Sequence, residues 1–154
     1  MGELIHISRV RIEKDKGPTR RAYIENFPEP VRYGVHGGVK KFYGVEPPED
    51  LPTTLDHMVA AVAGGMTGTL AVALAARKIP THPDRLSSEV EGIIENVDGK
   101  PIVTTIKVHY KVKVPNGKRE EALRAIEVHE KGCPASQSVK RGIAIEWDGQ
   151  VEEY

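Results

Sequence analysis

The sequence holds one cysteine, and its setting is the first place where residue types suggest chemistry. Lys131-Gly132-Cys133-Pro134-Ala135-Ser136 puts Cys133 directly before a proline. Proline suits the first position of a helix, so Cys133 is expected to cap a new helical turn. A sulfur there faces unpaired amides and the positive end of the helix dipole, both of which favour thiolate. The alternative is an inert thiol packed as a small hydrophobe. Position alone leaves both readings open. His129 stands four residues upstream, but Gly132 breaks the helix between them, and His129 reads as a surface helical residue. His6, His36, His57, His82 and His109 are scattered singly and read as structural or exposed. No second His/Cys cluster supplies a metal site, and no Ser-His-Asp set stands out by spacing. Gly37-Gly38 lacks the strand and helix context of a phosphate loop. Glu120-Glu121 and Glu152-Glu153 read as solvated charge. Neither metal nor cofactor is expected.

The element that must position these residues runs from Pro52 to Pro80. From Met58 to Ala76 it carries no charge, and its only hydroxyls are Thr67 and Thr69. Thr53 followed three residues later by Asp56 is a helix start: the hydroxyl takes an orphan amide and the carboxylate sits in the first turn. Arg77 and Lys78 complement the other end, and Pro80 forbids continuation. The stretch reads as one helix over 53–79, about 25 residues and roughly 37 Å long. Its length approaches that of a membrane span, but it is mostly Ala and Gly, so it reads as a buried helix at the centre of a core. Gly64-x-x-x-Gly68, with Ala60, Ala61 and Ala63, gives a small-residue surface that lets another backbone approach closely.

Around that helix the chain alternates strands and turns. A strand with a bulge near Ser8 is expected over Glu3–Glu13, returning strands over Arg20–Glu25 and Val31–Val35, and so a three-stranded antiparallel sheet within 1–36. A long loop from Gly37 leads to Thr53, with room for a short helix, though none is expected there. Residues 86–114 read as a hairpin turning at Asp98-Gly99. A helix comes next over 118–132, with Ala122, Leu123 and Ile126 on its apolar side, and then a last strand over 142–148. Strands in hairpins with helices segregated between them indicate an α+β fold. At 154 residues the chain is one domain, 1–154, long enough for a real core. Zero formal net charge argues against nucleic acid or an anionic membrane as partner. The single cysteine rules out an internal disulfide and MGELIHIS offers no apolar signal segment, so a cytoplasmic protein is expected.

Pro52-Thr53-Thr54-Leu55-Asp56, then Ala60-Ala61-Val62-Ala63-Gly64 and Met66-Thr67-Gly68-Thr69-Leu70, resemble the central helix of the OsmC/Ohr family, osmotically induced protein C and the organic hydroperoxide resistance proteins. Gly132-Cys133-Pro134-Ala135-Ser136 resembles the family's second motif. The resemblance covers most of the chain and implies antiparallel sheets around a long buried central helix in an intertwined homodimer. It also implies two thiol-peroxidase sites at the subunit interface. In the family a peroxidatic cysteine on the central helix attacks an organic hydroperoxide, the cysteine of the CP motif resolves the sulfenate as a disulfide, and a hairpin arginine and an early helical acid activate the first thiolate. Carried over, the resolving cysteine falls on Cys133, the arginine on Arg20 or Arg21, and the acid on Asp56. The peroxidatic cysteine falls on Gly65, which supplies no sulfur.

The expected function is therefore that of a divergent member without the two-cysteine cycle. Its interface pocket, around Gly65 and Met66, would take a small apolar or acyl ligand. The alternative is a one-cysteine thiol peroxidase or thiol-dependent reductase in which Cys133 attacks the hydroperoxide. A purely structural role ranks behind both.

Overall fold

The computed structural model describes residues 2–146. Its elements are strands β1 (Val10–Lys14), β2 (Arg20–Ile24) and β3 (Val31–Tyr33), helices α1 (Gly37–Tyr43) and α2 (Thr54–Ala75), strands β4 (Leu86–Val97) and β5 (Lys100–Val112), helix α3 (Arg119–His129), a single 3-10 turn (Glu130–Gly132), and helix α4 (Pro134–Arg141). The order is that of an α+β chain with antiparallel sheets. By contacts it divides into two compact units, one of Met1–Ala60 and Glu91–Ile106, the other of Ala61–Val90 and Lys107–Tyr154.

In the first unit, β1, β2 and β3 form an antiparallel sheet in that order. Val10 pairs with Ile24, Lys14 with Arg20, and Arg20 with Tyr33. The expected first strand is shorter than its alternating residues suggest. The pairing ends with the Glu25 amide on the Arg9 carbonyl (3.0 Å), because Asn26 takes a left-handed turn (φ 73°) and leads the partner strand away. Ile5 and Ile7 are left exposed, outside any strand, and no bulge forms at Ser8. Residues 37–43, expected as loop, form α1, closed by left-handed Gly44 (φ 62°). The stretch between α1 and α2 is tied down rather than loose. The Lys40 ammonium bonds Asp50 (3.1 Å), the Gly34 amide reaches Pro52 O (2.9 Å), and the Leu51 amide reaches Val35 O (3.3 Å). Gly92 of β4 lies so close to the Val59 side chain of α2 that no Cβ fits there, which is a reason for glycine inside a strand.

The start of α2 is the capping box its sequence predicts. The Asp56 amide donates to Thr53 Oγ1 (3.0 Å), and the Thr53 amide donates to Asp56 Oδ2 (2.7 Å). Its end is different from the expected stop at Pro80. Lys78 is left-handed (φ 60°); its amide bonds Ala75 O (2.9 Å) and that of Ile79 bonds Leu74 O (3.0 Å). That is a Schellman ending with lysine where glycine is usual, and buried Ile79 packs in the same core as Leu74.

In the second unit Leu70 and Leu74 of α2, Ile79, and Ala122 and Ala125 of α3 form the core, with Tyr110, Val112 and Ile126 packed against it. Leu123, expected on the apolar side of α3, is exposed, and Ala125 takes its place on the inward stripe. Of α2 itself, Val62, Ala63, Leu70 and Leu74 are buried. Val72 is 70% exposed, and a Cβ at Gly64 or Gly68 would meet nothing within 4 Å. The helix is thus buried along one side by its own chain. It is also long and apolar enough to cross a membrane (mean hydropathy 1.8), as is the core helix of many soluble proteins. β4 and β5 pair across Asp98-Gly99, both at positive φ (53° and 79°), the backbone of a tight hairpin turn. The strand expected over 142–148 is not formed over residues 142–146, where Ile143 and Ile145 are exposed. Trp147 and Asp148 lie outside the described residues.

Candidate functional site

Cys133 sits at the N-cap of α4 with Pro134 in the first helical position, as the local sequence demands. Its Sγ accepts from the Ser136 amide (3.4 Å), and its side chain is wholly buried. Burial works to raise the thiol pKa. The Ser136 amide and hydroxyl, the Thr69 hydroxyl and the Ala135 amide work against it, and together they hold the thiol below its ordinary value. The same hydroxyls are tied into the fold: Thr69 donates to Gly65 O (2.9 Å) and Ser136 to Glu130 Oε1 (2.9 Å). The Ser136 hydroxyl, and then Lys140, hold the Glu130 carboxyl below its usual range.

Gly65 faces this sulfur. A Cβ built on Gly65 would lie 3.4 Å from Cys133 Sγ and 2.9 Å from Ala135 Cβ. The helix presents bare backbone to the thiol, and the first turn of α4 has closed onto it. Met66, the neighbouring position, is half-buried.

His129 is a correction to the surface reading. It is 6% exposed, its Nδ1 lies 2.6 Å from Ile126 O, and its Nε2 lies 2.8 Å from the Tyr110 hydroxyl. A carbonyl accepts only, so Nδ1 carries the proton, and Nε2 accepts from the phenol. Burial, and after it the neighbouring Cys133 charge, push the Tyr110 phenol up despite the Thr67 hydroxyl. The signal was present in the spacing: Ala122, Ala125, Ile126 and His129 form one helical stripe.

The remaining candidates belong to the first unit. Asp56 gives its Oδ2 to the Thr53 amide (2.7 Å), the Thr53 hydroxyl (3.0 Å) and His36 Nε2 (2.7 Å). Partial burial opposes ionisation, but these donors outweigh it and hold the carboxyl below its usual range. Neither arginine is among its partners within the described residues. Sequence reasoning missed His36, because the pair joins residues twenty positions apart with no motif between them. Adjacent strand residues point to opposite faces, and the two arginines divide accordingly. Arg20 lines a cavity of about 390 Å³ with Thr53, Thr54, Leu55 and Tyr43, its guanidinium donating to Pro18 O. Arg21 turns to the Tyr23 hydroxyl (3.1 Å) and to Asp15 (3.6 Å). Among the described residues, no three His, Cys, Asp or Glu side chains are grouped to hold a metal ion.

Residues 47–148 match the family described as OsmC-like protein. No curated protein matches the sequence. The fold resembles those of an OsmC-like protein from Mycoplasma pneumoniae (TM-score 0.66, 16% identity, 89% of each chain) and an OsmC-like protein of unknown function from Vibrio cholerae (0.69, 10% identity, 86% of this chain and 93% of that one). It also resembles the organic hydroperoxide resistance protein OhrB of Bacillus subtilis (0.54, 16% identity, 89% of this chain and 92% of that one).

Proposed function

The chain belongs to the OsmC-like family, and from that premise we propose that it is a member without the two-cysteine peroxidase cycle, which binds a small apolar or acyl ligand around Gly65 and Met66. The observation that carries the loss of the cycle is the bare Gly65 backbone facing Cys133 Sγ, 3.4 Å from where a Cβ would stand. Reduction of a hydroperoxide by two cysteines needs one sulfur to take the distal oxygen as a sulfenic acid, releasing the alcohol. A second sulfur then displaces water to form the disulfide. One thiol is present, so the second step has no partner within the chain. The open Gly64 and Gly68 side of α2 and the exposed Val72 support a homodimer built on that helix. The absence of any disulfide-forming pair suits a cytoplasmic setting.

The test is turnover of cumene hydroperoxide with dithiothreitol as reductant. Consumption no faster than the uncatalysed background is expected; turnover in the range of two-cysteine enzymes would end this reading. A second reading is favoured by the thiol held below its ordinary pKa: Cys133 alone attacks, and dithiothreitol returns the sulfenic acid to thiol. Mass spectrometry after peroxide treatment separates the two. An unmodified Cys133 removes the second reading, and a dimedone-trapped sulfenic acid establishes it.

A further inference from the structure

The first unit holds a cavity of about 320 Å³, and no residue of the Cys133 surroundings takes part in it. Its walls are apolar: Phe42 of α1, Ile94 of β4 and Pro101 of β5. Its polar end is made by His36, Asp56 and Glu95, and none of the residues lining it is Lys or Arg. Lys40 of α1 is bonded to Asp50 (3.1 Å) and paired with Glu46 (3.8 Å).

The polar groups offer acceptors. All three of Asp56's hydrogen bonds fall on Oδ2, leaving Oδ1 without a partner among the described residues, and the carboxyl is held ionised. Glu95 takes the Thr104 hydroxyl on Oε1 and keeps Oε2. His36 gives Nε2 to Asp56; its ring makes no cap bond to the α1 amides, so the other nitrogen is an acceptor too when the ring is neutral. His36 is the basic group of the lining and is taken up by Asp56 Oδ2; the carboxylate oxygens that remain, Asp56 Oδ1 and Glu95 Oε2, ask for a donor that carries positive charge, and the face of Phe42 suits the same charge. The volume holds a body of roughly ten non-hydrogen atoms, on about 30 Å³ each.

We propose that this cavity binds a small organic cation: a protonated primary amine on a compact apolar body, its ammonium between Asp56 and Glu95 and its body against Phe42, Ile94 and Pro101. Fixed polar groups set against apolar walls are the usual construction of a ligand site. Asp56 is held in place by the same bonds that cap α2, so its carboxylate needs no rearrangement to receive the ammonium.

The experiment is calorimetric titration of the intact protein with three probes of one shape: phenethylamine, phenethyl alcohol and hydrocinnamate. The amine is expected to bind, the alcohol about tenfold more weakly for want of a charge-assisted contact, and the carboxylate undetectably. Glu95 is exposed and outside the α2 cap, so Glu95→Gln leaves the fold intact; it should weaken the amine several-fold and leave the alcohol unchanged. Phe42→Ala should weaken both amine and alcohol. Equal binding of all three probes, no binding of the amine, or amine binding indifferent to both substitutions would each overturn the assignment. Hydroperoxide turnover is not read here, so failure of this proposal and failure of the reading at Cys133 are separately visible.

Discussion

Placing a sulfur at residue 65 tests the central geometry directly, through Gly65→Cys. The new Cβ would stand 3.4 Å from Cys133 Sγ, so a sulfur on it comes within bonding reach of the native thiol. The same Cβ would lie 2.9 Å from Ala135 Cβ, a methyl on the first turn of α4 that has no flexible arm to swing aside. The substitution therefore has two opposed effects. In the reduced state, overpacking costs about 1–3 kcal/mol, a fall in Tm of roughly 2–4 °C per kcal/mol for a chain of this size. In the oxidised state, a bridge between 65 and 133 closes a loop of about 68 residues, and restriction of the unfolded chain contributes roughly 4 kcal/mol. The oxidised variant should therefore melt above the wild type and the reduced variant below it. Differential scanning calorimetry with and without dithiothreitol reads both, and a non-reducing gel checks that the bridge is intramolecular. Adding Ala135→Gly to the variant should recover most of the reduced-state loss, less the helix penalty of a glycine. A reduced variant as stable as the wild type, with no bridge after oxidation, would refute the contact between Gly65, Cys133 and Ala135 and everything derived from it.

The two ends of α2 can be perturbed separately. Thr53→Ala should cost about 1 kcal/mol by urea denaturation, since Thr53 Oγ1 receives the Asp56 amide. Asp56 has a folded pKa below its unfolded value, so its contribution is present above the ordinary carboxylate range and is lost as pH falls through the lower folded value; Asp56→Asn should flatten that part of the wild-type acid limb. Lys78→Gly, where a lysine is held at φ 60°, should raise stability by about 0.5–1 kcal/mol, since glycine adopts that conformation without a Cβ penalty. A destabilised variant would mean that the lysine stem contributes more by packing.

Much of this molecule was legible in local sequence. Thr53 and Asp56 form the box their spacing announces, Asp98-Gly99 makes the hairpin turn, and Cys133-Pro134 starts α4 with the thiol at the cap. These features depend on residues within three or four positions of one another, and chain connectivity enforces them. The features that escaped depend on distant partners. His36 finds Asp56 twenty positions away, and His129, whose burial its helical stripe does show, finds Tyr110 nineteen away; the pairings themselves are encoded by no period. α1 escaped for another reason: His36 supplies no side-chain cap and Gly37-Gly38 reads as the opening of a loop, yet Lys40 is bonded to Asp50 and Glu46 across the loop beyond it. The alternating Ile143 and Ile145 misled in the other direction, because alternation states which face would be apolar and not whether a partner strand is there.

The state of Cys133 then separates the reasons for keeping a thiol. A cysteine retained only to fill space in an apolar core has its pKa raised, because burial penalises the charged form and nothing opposes it. At Cys133 burial is opposed by two amides and two hydroxyls and loses to them. The amides come from capping α4 and need no further explanation. The hydroxyls of Thr69 and Ser136 are separate side chains that also favour the thiolate, although their protons lie toward the Gly65 carbonyl and Glu130. An environment that stabilises thiolate is thus in place although the position facing it has no side chain. Any oxidation of that sulfur must be reversed by a thiol from outside the chain, and any reagent must first displace the packing of Ala135 against Gly65, since the sulfur is wholly covered. Access, more than ionisation, is therefore the step that limits chemistry at Cys133.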